Sequence, residues 1–376
     1  MRRVCYVTGS RADFGLMEST LRLLAGSHGV SLGIAVTGMH LDPLHGATVR
    51  EVEASGLRID RRVPAPSLDG TGAGMAKALA EMTSGLVDAW SASKPDLVLL
   101  VGDRGEMLAA ALAAAHLDVP IAHVHGGERS GTIDESIRHA VSKFAHLHMV
   151  ATEASRDRLV CMGERPDRIW VTGAPGLDGL GELATERRAE LCAAFALDPT
   201  RPLALMSYHP VLQDGADAAA PAAALLDAAR EAGLQVVALA PNSDAGSREV
   251  RSALERAEGR GEICLAVHLP RRRFVSLMAC ADLMVGNSSA GIIEAATFGT
   301  PVVNVGDRQA MRERSTNVLD AGTDTASIRG CIYRALASGR GPCVNAYGDG
   351  AAGPRIVEIL RLADLGRQLT RKSNAY

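Results

Sequence analysis

The sequence predicts an α/β protein of two halves, each a parallel sheet wound with helices on both faces, set against each other across a cleft. Three observations predict it. Short apolar strands alternate with amphipathic helices along nearly the whole chain, the pattern of parallel sheets. The alternation pauses at Gly173-Ala174-Pro175-Gly176 and then starts afresh. The length, 376 residues, exceeds what one ordinary core holds.

The elements follow in order. Strand 3–7 leads into a tight turn, Thr8-Gly9-Ser10-Arg11, and an amphipathic helix over 14–24. Strand 31–37 leads to a loop around 39–45, and helical spacing covers 75–90. Residues 97–101, LVLLV, are apolar without alternation, as a strand buried on both faces reads. Helix 106–115, strand 120–125, helix 133–146, strand 147–150, helix 153–162 (stopped by Gly163) and strand 169–172 complete the first half. In the second half, strands over 203–207, 235–240, 263–266, 283–285 and 301–305 alternate with helices over 219–232, 247–257, 271–281, 290–298 and 326–337. The expected domains are 1–174 and 175–353. Segment 354–368 has apolar residues at helical spacing, and 354–376 is expected to pack back on the first domain.

Composition excludes several function classes. Net charge is −3 with no basic block, and aromatics are only 3%, against nucleic-acid or membrane-surface binding. Seven scattered cysteines without a C-x-x-C pair argue against a disulfide framework or a structural zinc site, and fit a reducing, cytoplasmic setting. Arg2 and Arg3 precede an apolar run that Ser10, Arg11 and Asp13 cut short, too short for a signal peptide or a membrane span.

Ligands of open parallel sheets bind at the carboxyl ends of the strands. Residues 8–11, Asp103, 125–128, His209, 242–247 and 286–289 all fall just after strands, so they are expected to line one cleft. The richest stretch is 102–146, which gathers Asp103, His125, Glu128, Arg129, Asp134, Glu135, Arg138 and His139 around strand ends and one helix start. Thr132-Ile133-Asp134-Glu135 fits a capping box, with Ile133, Ile137, Ala140, Phe144 and Leu147 as the apolar face of the helix. Asp134 in the first turn is favoured in its ionised form, which suits a base and is also the ordinary reason for an acid there. Arg138, one turn on, is placed to pair with it. Asp103, after a buried strand, needs a ligand, a partner or a catalytic role. With no thiol or histidine cluster and no G-x-S-x-G, the stretch fits proton transfer with a phosphate leaving group.

In the second half, Gly286-Asn287-Ser288-Ser289-Ala290-Gly291 joins a strand to a helix. Its small residues and free N–H groups suit a phosphate, and Glu294 suits ribose hydroxyls; Asn and Ser are equally good ordinary caps. The 242–247 loop and His209-Pro210 are two further polar strand ends. Arg308 is a cationic partner for phosphate or a surface ion pair worth little. Arg11 suits a diphosphate or pairs with Asp13. Neither G-x-G-x-x-G nor a Walker motif is present.

The stretches TGSRADFGLM, VGDRGEM, HVHGGERSGTIDESIRHAVSK, TGAPGLD, HPV, NSDAGS, GNSSAGIIEAATFGTPVVNVGDRQ and ERSTNVLD occur in that order. Together they resemble the hydrolysing UDP-N-acetylglucosamine 2-epimerases. The non-hydrolysing branch begins with G-T-R-P-E, where this chain has Gly9-Ser10-Arg11-Ala12-Asp13. The resemblance implies a GT-B-like fold of two Rossmann-like domains, no cofactor, no metal, a UDP-sugar substrate and a homodimer or homotetramer. It implies conversion of UDP-GlcNAc and water into N-acetylmannosamine and UDP, by anti elimination to 2-acetamidoglucal and then hydration. The nearest alternative is the same chemistry on UDP-2,4-diacetamido-2,4,6-trideoxyglucose. A non-hydrolysing epimerase, a GT-B glycosyltransferase and a nucleotide-sugar sensor stand further off.

By position, the resemblance gives Asp103 and Asp134 proton-transfer roles and makes His209 the active-site histidine. It gives nucleotide contacts to Arg11, Ser288, Ser289, Glu294, Arg308 and the loop with Asn242, Asp244 and Ser247. Arg104, Arg138, His268, Asn287 and Gly291 complete the expected substrate contacts. His125 stands where the animal enzyme has glutamate, so the third acid–base role falls to His125 or to Glu128.

Overall fold

The computed structural model describes residues 1–43, 46–65, 71–211, 219–242 and 244–376; His45 and Ser243, in two of the loops named above, lie outside them. The first half runs β1 (Arg2–Thr8), α1 (Arg11–Ala25), β2 (Val30–Val36), α2 (Val49–Ala54), β3 (Ile59–Arg62), α3 (Gly72–Ala92), β4 (Leu97–Val101), α4 (Gly105–His116), β5 (Ile121–Val124), α5 (Ile133–Phe144), β6 (Leu147–Val150), α6 (Glu153–Cys161) and β7 (Ile169–Val171). Two short helices, α7 (Leu180–Leu183) and α8 (Arg188–Ala194), follow. The second half runs β8 (Leu203–Ser207), α9 (Ala220–Glu231), β9 (Gln235–Leu239), α10 (Ser247–Gly259), β10 (Cys264–Ala266), α11 (Arg271–Cys280), β11 (Leu283–Gly286), α12 (Ser289–Ile293), β12 (Val302–Val305), β13 (Val318–Ala321) and α13 (Thr325–Ser338). α14 (Ala352–Leu362) and α15 (Arg367–Thr370) end the chain.

The strands form two sheets, ordered β3-β2-β1-β4-β5-β6-β7 and β10-β9-β8-β11-β12-β13. Adjacent strands are parallel throughout. Strand order reverses between β1 and β4 and between β8 and β11, which opens a crevice at the carboxyl end of each sheet. All five residues of β4 are buried, as helices on both faces require.

The structure adds elements at the sheet edges. β3 reads Ile-Asp-Arg-Arg with only Ile59 half-buried, and β13 reads Val-Leu-Asp-Ala. Edge strands with charged residues lack the apolar run that marks a central strand. The helix expected over 290–298 is broken: α12 gives way at Glu294 to a 3₁₀ turn, Ala295–Phe298. α14 lies against α1, and its Ala352, Ile356 and Leu360 are buried with Phe14, Met17 and Leu21 in the core of the first sheet. Beyond it, Lys372 donates to the carbonyls of Ala145 (2.6 Å), Lys143 (2.8 Å) and Ser142 (3.1 Å) at the end of α5. Among the described residues, no helix is long and apolar enough to cross a membrane.

Candidate active site

The carboxyl ends of both sheets enclose a cavity of about 270 Å³. The first half lines it with Arg11, Asp13, Asp103, Arg104, His125, Glu128 and Arg138; the second contributes His209, Asn242, Ser288, Ser289, Arg271, Glu294, Arg308 and Arg312.

Asp103 follows β4 directly. Its carboxylate pairs with Arg138, and Arg312 stands 3.6 Å away. Burial pushes the carboxyl up, but Arg138, Arg312 and Arg308 outweigh it and hold it below the usual carboxylate range. The pairing expected between Arg138 and Asp134 does not form. Arg138 is fully buried and also donates to the Glu128 carbonyl at 2.7 Å, so α5 turns its cation inward onto Asp103. Asp134, in the first turn of α5, pairs instead with Arg308 at 3.1 Å. Burial, then the charge of Asp103, pushes Asp134 up to about 6 against the pull of Arg308.

The capping of α5 also differs from the expected box. The Thr132 hydroxyl accepts from the Asp134 N–H, while Glu135 accepts from the N–H groups of Ser130 and Gly131 at 2.7 and 2.9 Å. The buried face is Arg138, Val141 and Ser142, whereas Ile133 is exposed. The apolar pattern missed this because the inward residue is an arginine.

His125 and Glu128 sit on the loop after β5, and His125 Nδ1 lies 2.5 Å from Glu128 Oε1. Glu128 also pairs with Arg312. The loop is pressed against α6: a Cβ on Gly127, at φ +75°, would collide with the Ser155 carbonyl. His209 is fixed by backbone on both sides. Asn287 accepts from its N–H at 2.7 Å and donates to its carbonyl at 2.8 Å, and its Nδ1 accepts from the Asn242 N–H at 3.2 Å. The Nε2 of His209 therefore carries the proton, and burial keeps the ring neutral.

Several expected contacts are placed otherwise. Asn287 does not line the cavity, because its amide is spent on His209. Gly291 faces the sheet, where a Cβ would meet Val302 at 3.0 Å. Asp244 and Ser247 lie behind Asn242; Ser247 donates to the Asp244 carbonyl at 2.6 Å. His268 stands outside the lining, 2.6 Å from Arg11 and 2.5 Å from Glu51. Asp13 does not pair with Arg11; it is buried and accepts from Gly9, Ser10 and Thr8. Glu294 pairs with Arg271 at 2.6 Å. Arg271 and Arg312 were not foreseen. The signal for Arg312 was present, because it lies on the same strand-end segment as Arg308. Among the described residues, no group of three or more His, Cys, Asp or Glu is arranged to hold a metal.

The comparisons with known proteins fit this geometry. The family described as UDP-N-acetylglucosamine 2-epimerase matches residues 23–361. The chain belongs to that family. A UDP-N,N'-diacetylbacillosamine 2-epimerase (hydrolyzing) of Legionella pneumophila is 43% identical over 376 residues, covering 100% of both chains. A UDP-N-acetylglucosamine 2-epimerase of Neisseria meningitidis is 32% identical, covering 90% of this chain and 89% of the relative. These place the chain among the hydrolysing UDP-N-acetylglucosamine 2-epimerases. The crystal structure of a Neisseria meningitidis UDP-GlcNAc 2-epimerase bound to UDP-GlcNAc superposes with a TM-score of 0.79, covering 96% of this chain and 99% of that one at 20% identity. The 2-epimerase fold is thus GT-B-like, two parallel-sheet α/β domains across a cleft.

Proposed function

We propose that the protein is a hydrolysing 2-epimerase whose substrate is a UDP-2,4-diacetamido-2,4,6-trideoxyhexose of the N,N'-diacetylbacillosamine type, rather than UDP-GlcNAc. The observation that carries the choice is the 43% identity over the full length of a relative bearing that activity. The cavity supports it: Leu16, Met39, Leu269, Phe274 and Ile293 give it apolar wall beside the charged groups. A sugar with two acetamido methyls and no 6-hydroxyl offers more apolar surface than GlcNAc to such a wall.

In this reading Asp103 and Asp134 serve the C2 proton. One removes it while UDP leaves C1, giving the enzyme-bound glycal. Water then adds to C1, and C2 regains a proton on the opposite face. Arg308 and the Ser288–Ser289 turn receive the leaving diphosphate, where backbone N–H groups at a helix start favour an anion. His209 Nε2–H is a donor for the same group. The test is UDP release from the two UDP-sugars at matched concentration. The reading expects kcat/KM at least tenfold higher for the diacetamido sugar; a preference for UDP-GlcNAc returns the chain to N-acetylmannosamine synthesis.

A further inference from the structure

His125 and Glu128 compete for one role in the sequence, and the structure joins them. The following rests on the 2-epimerase reading above. The Glu128 side chain is buried, and its Oε1 lies 2.5 Å from His125 Nδ1. A carboxylate only accepts, so Nδ1 holds the hydrogen and the neutral ring has its lone pair on Nε2. The ring lines the cavity. Its backbone is held at φ +63°, a left-handed conformation unfavourable for a non-glycine residue, which marks a site where the fold over-determines a side chain. The second oxygen of Glu128 meets Arg312, which comes from the other half of the molecule and also stands 3.6 Å from Asp103.

We propose that His125 and Glu128 work as one dyad in the hydration step, with Arg312 as a positioning residue that completes it across the cleft. His125 Nε2 takes a proton from water as the water oxygen bonds C1 of the glycal. C2 takes a proton of solvent origin on the face opposite to the one it left, the imidazolium formed returns its proton to solvent, and the aspartate that took the C2 proton in the first step releases it. Glu128 fixes the tautomer and stabilises the imidazolium, as a buried carboxylate does for a histidine base. Burial, then Arg312 and Arg138, push His125 down to about 3, against Asp103 and Glu294, so the resting ring is neutral at pH 7; the same cations oppose the imidazolium, and Glu128 is the group placed to offset them.

The test has two arms. Nitrogen-15 NMR of the ligand-free protein reads the His125 tautomer. The expected form at pH 7 is neutral with Nδ1 protonated, and Arg312→Met moves the ring's titration upward because it removes a cation. In Glu128→Gln one amide oxygen serves two donors, Arg312 and Nδ1; Arg312 takes it, the amide NH₂ faces Nδ1, and the ring switches to Nε2–H. In the kinetic arm, under single-turnover conditions, His125→Asn and Glu128→Gln are expected to slow free-sugar formation by roughly 10²-fold or more relative to UDP release, with the glycal accumulating. A ring protonated on Nε2 in the wild type overturns the dyad, as does His125→Asn blocking UDP release as strongly as hydration. If the wild type turns over neither UDP-sugar, the epimerase reading fails instead, and the NMR arm still decides the pairing.

Discussion

At the residue scale, the site is a set of carboxylates each facing an arginine. Asp103 lies between Arg138 and Arg312, Asp134 faces Arg308, and Glu128 faces Arg312. The pairing separates the two aspartates, holding Asp103 ionised while Asp134 titrates near 6. Asp103→Asn and Asp134→Asn should each lower kcat by roughly 10²–10⁴-fold while circular dichroism shows an intact fold. An active Asp134→Asn would leave that residue a helix-start acid only. The pH dependence follows in sign. Asp134 acts as a base only when ionised, so kcat/KM should rise with pH through about 6. Arg308→Met removes the cation that lowers Asp134, so this limb should move to higher pH; a limb that stays put would detach Asp134 from it. Asp103 was legible as a cavity residue because it follows a buried strand; Asp134, at a helix start, is not part of the lining itself and borders it through Arg308. Their partners were not, because sequence spacing offers Arg138 to Asp134 while the fold turns it to Asp103.

At the element scale, α5 carries Asp134 and Arg138, and the chain's end holds it. Lys372 caps the α5 carbonyls and pairs with Glu164 at 2.6 Å; Lys143 of α5 reaches the same carboxylate at 2.7 Å, and His148 at 3.1 Å. Burial pushes Glu164 up, but these three partners bring it down, to about 2. A depressed carboxyl stabilises the fold fully above its ordinary value near 4.5, and that contribution disappears as pH falls toward 2. Glu164→Gln should destabilise the protein by roughly 1–3 kcal/mol in denaturant unfolding at pH 7, with the difference closing as pH falls through that window. An equal difference at pH 7 and at pH 2.5 would count against it. Central strands such as β4 were legible from their unbroken apolar runs. β3 and β13 were not, because an edge strand half in water carries the charges of a loop.

At the scale of the whole molecule, the cleft is bridged by charge. Arg312 and Arg308 reach from the second half to the acids of the first, Arg104 meets Asp244 at 3.5 Å, and Arg158 meets Glu313 at 3.2 Å. The cations that would receive a diphosphate are therefore held by the acids that would move the proton. Under the proposed function, a UDP-sugar whose phosphates draw Arg308 away would release Asp134 from its partner, coupling binding of the leaving group to release of the base. The two-sheet architecture was legible because the alternation of strand and helix restarts after Gly173-Ala174-Pro175-Gly176. Pairing across the cleft was not, because nothing local records which residues of one half face the other.

The central claim is that proton transfer at C2 accompanies loss of UDP and gives a free sugar. Incubating the protein with UDP-2,4-diacetamido-2,4,6-trideoxyglucose in D₂O and following products by NMR tests it most directly. The account predicts UDP together with a free manno-configured sugar deuterated at C2. A UDP-linked epimer, or a free sugar that keeps its C2 proton, would contradict it.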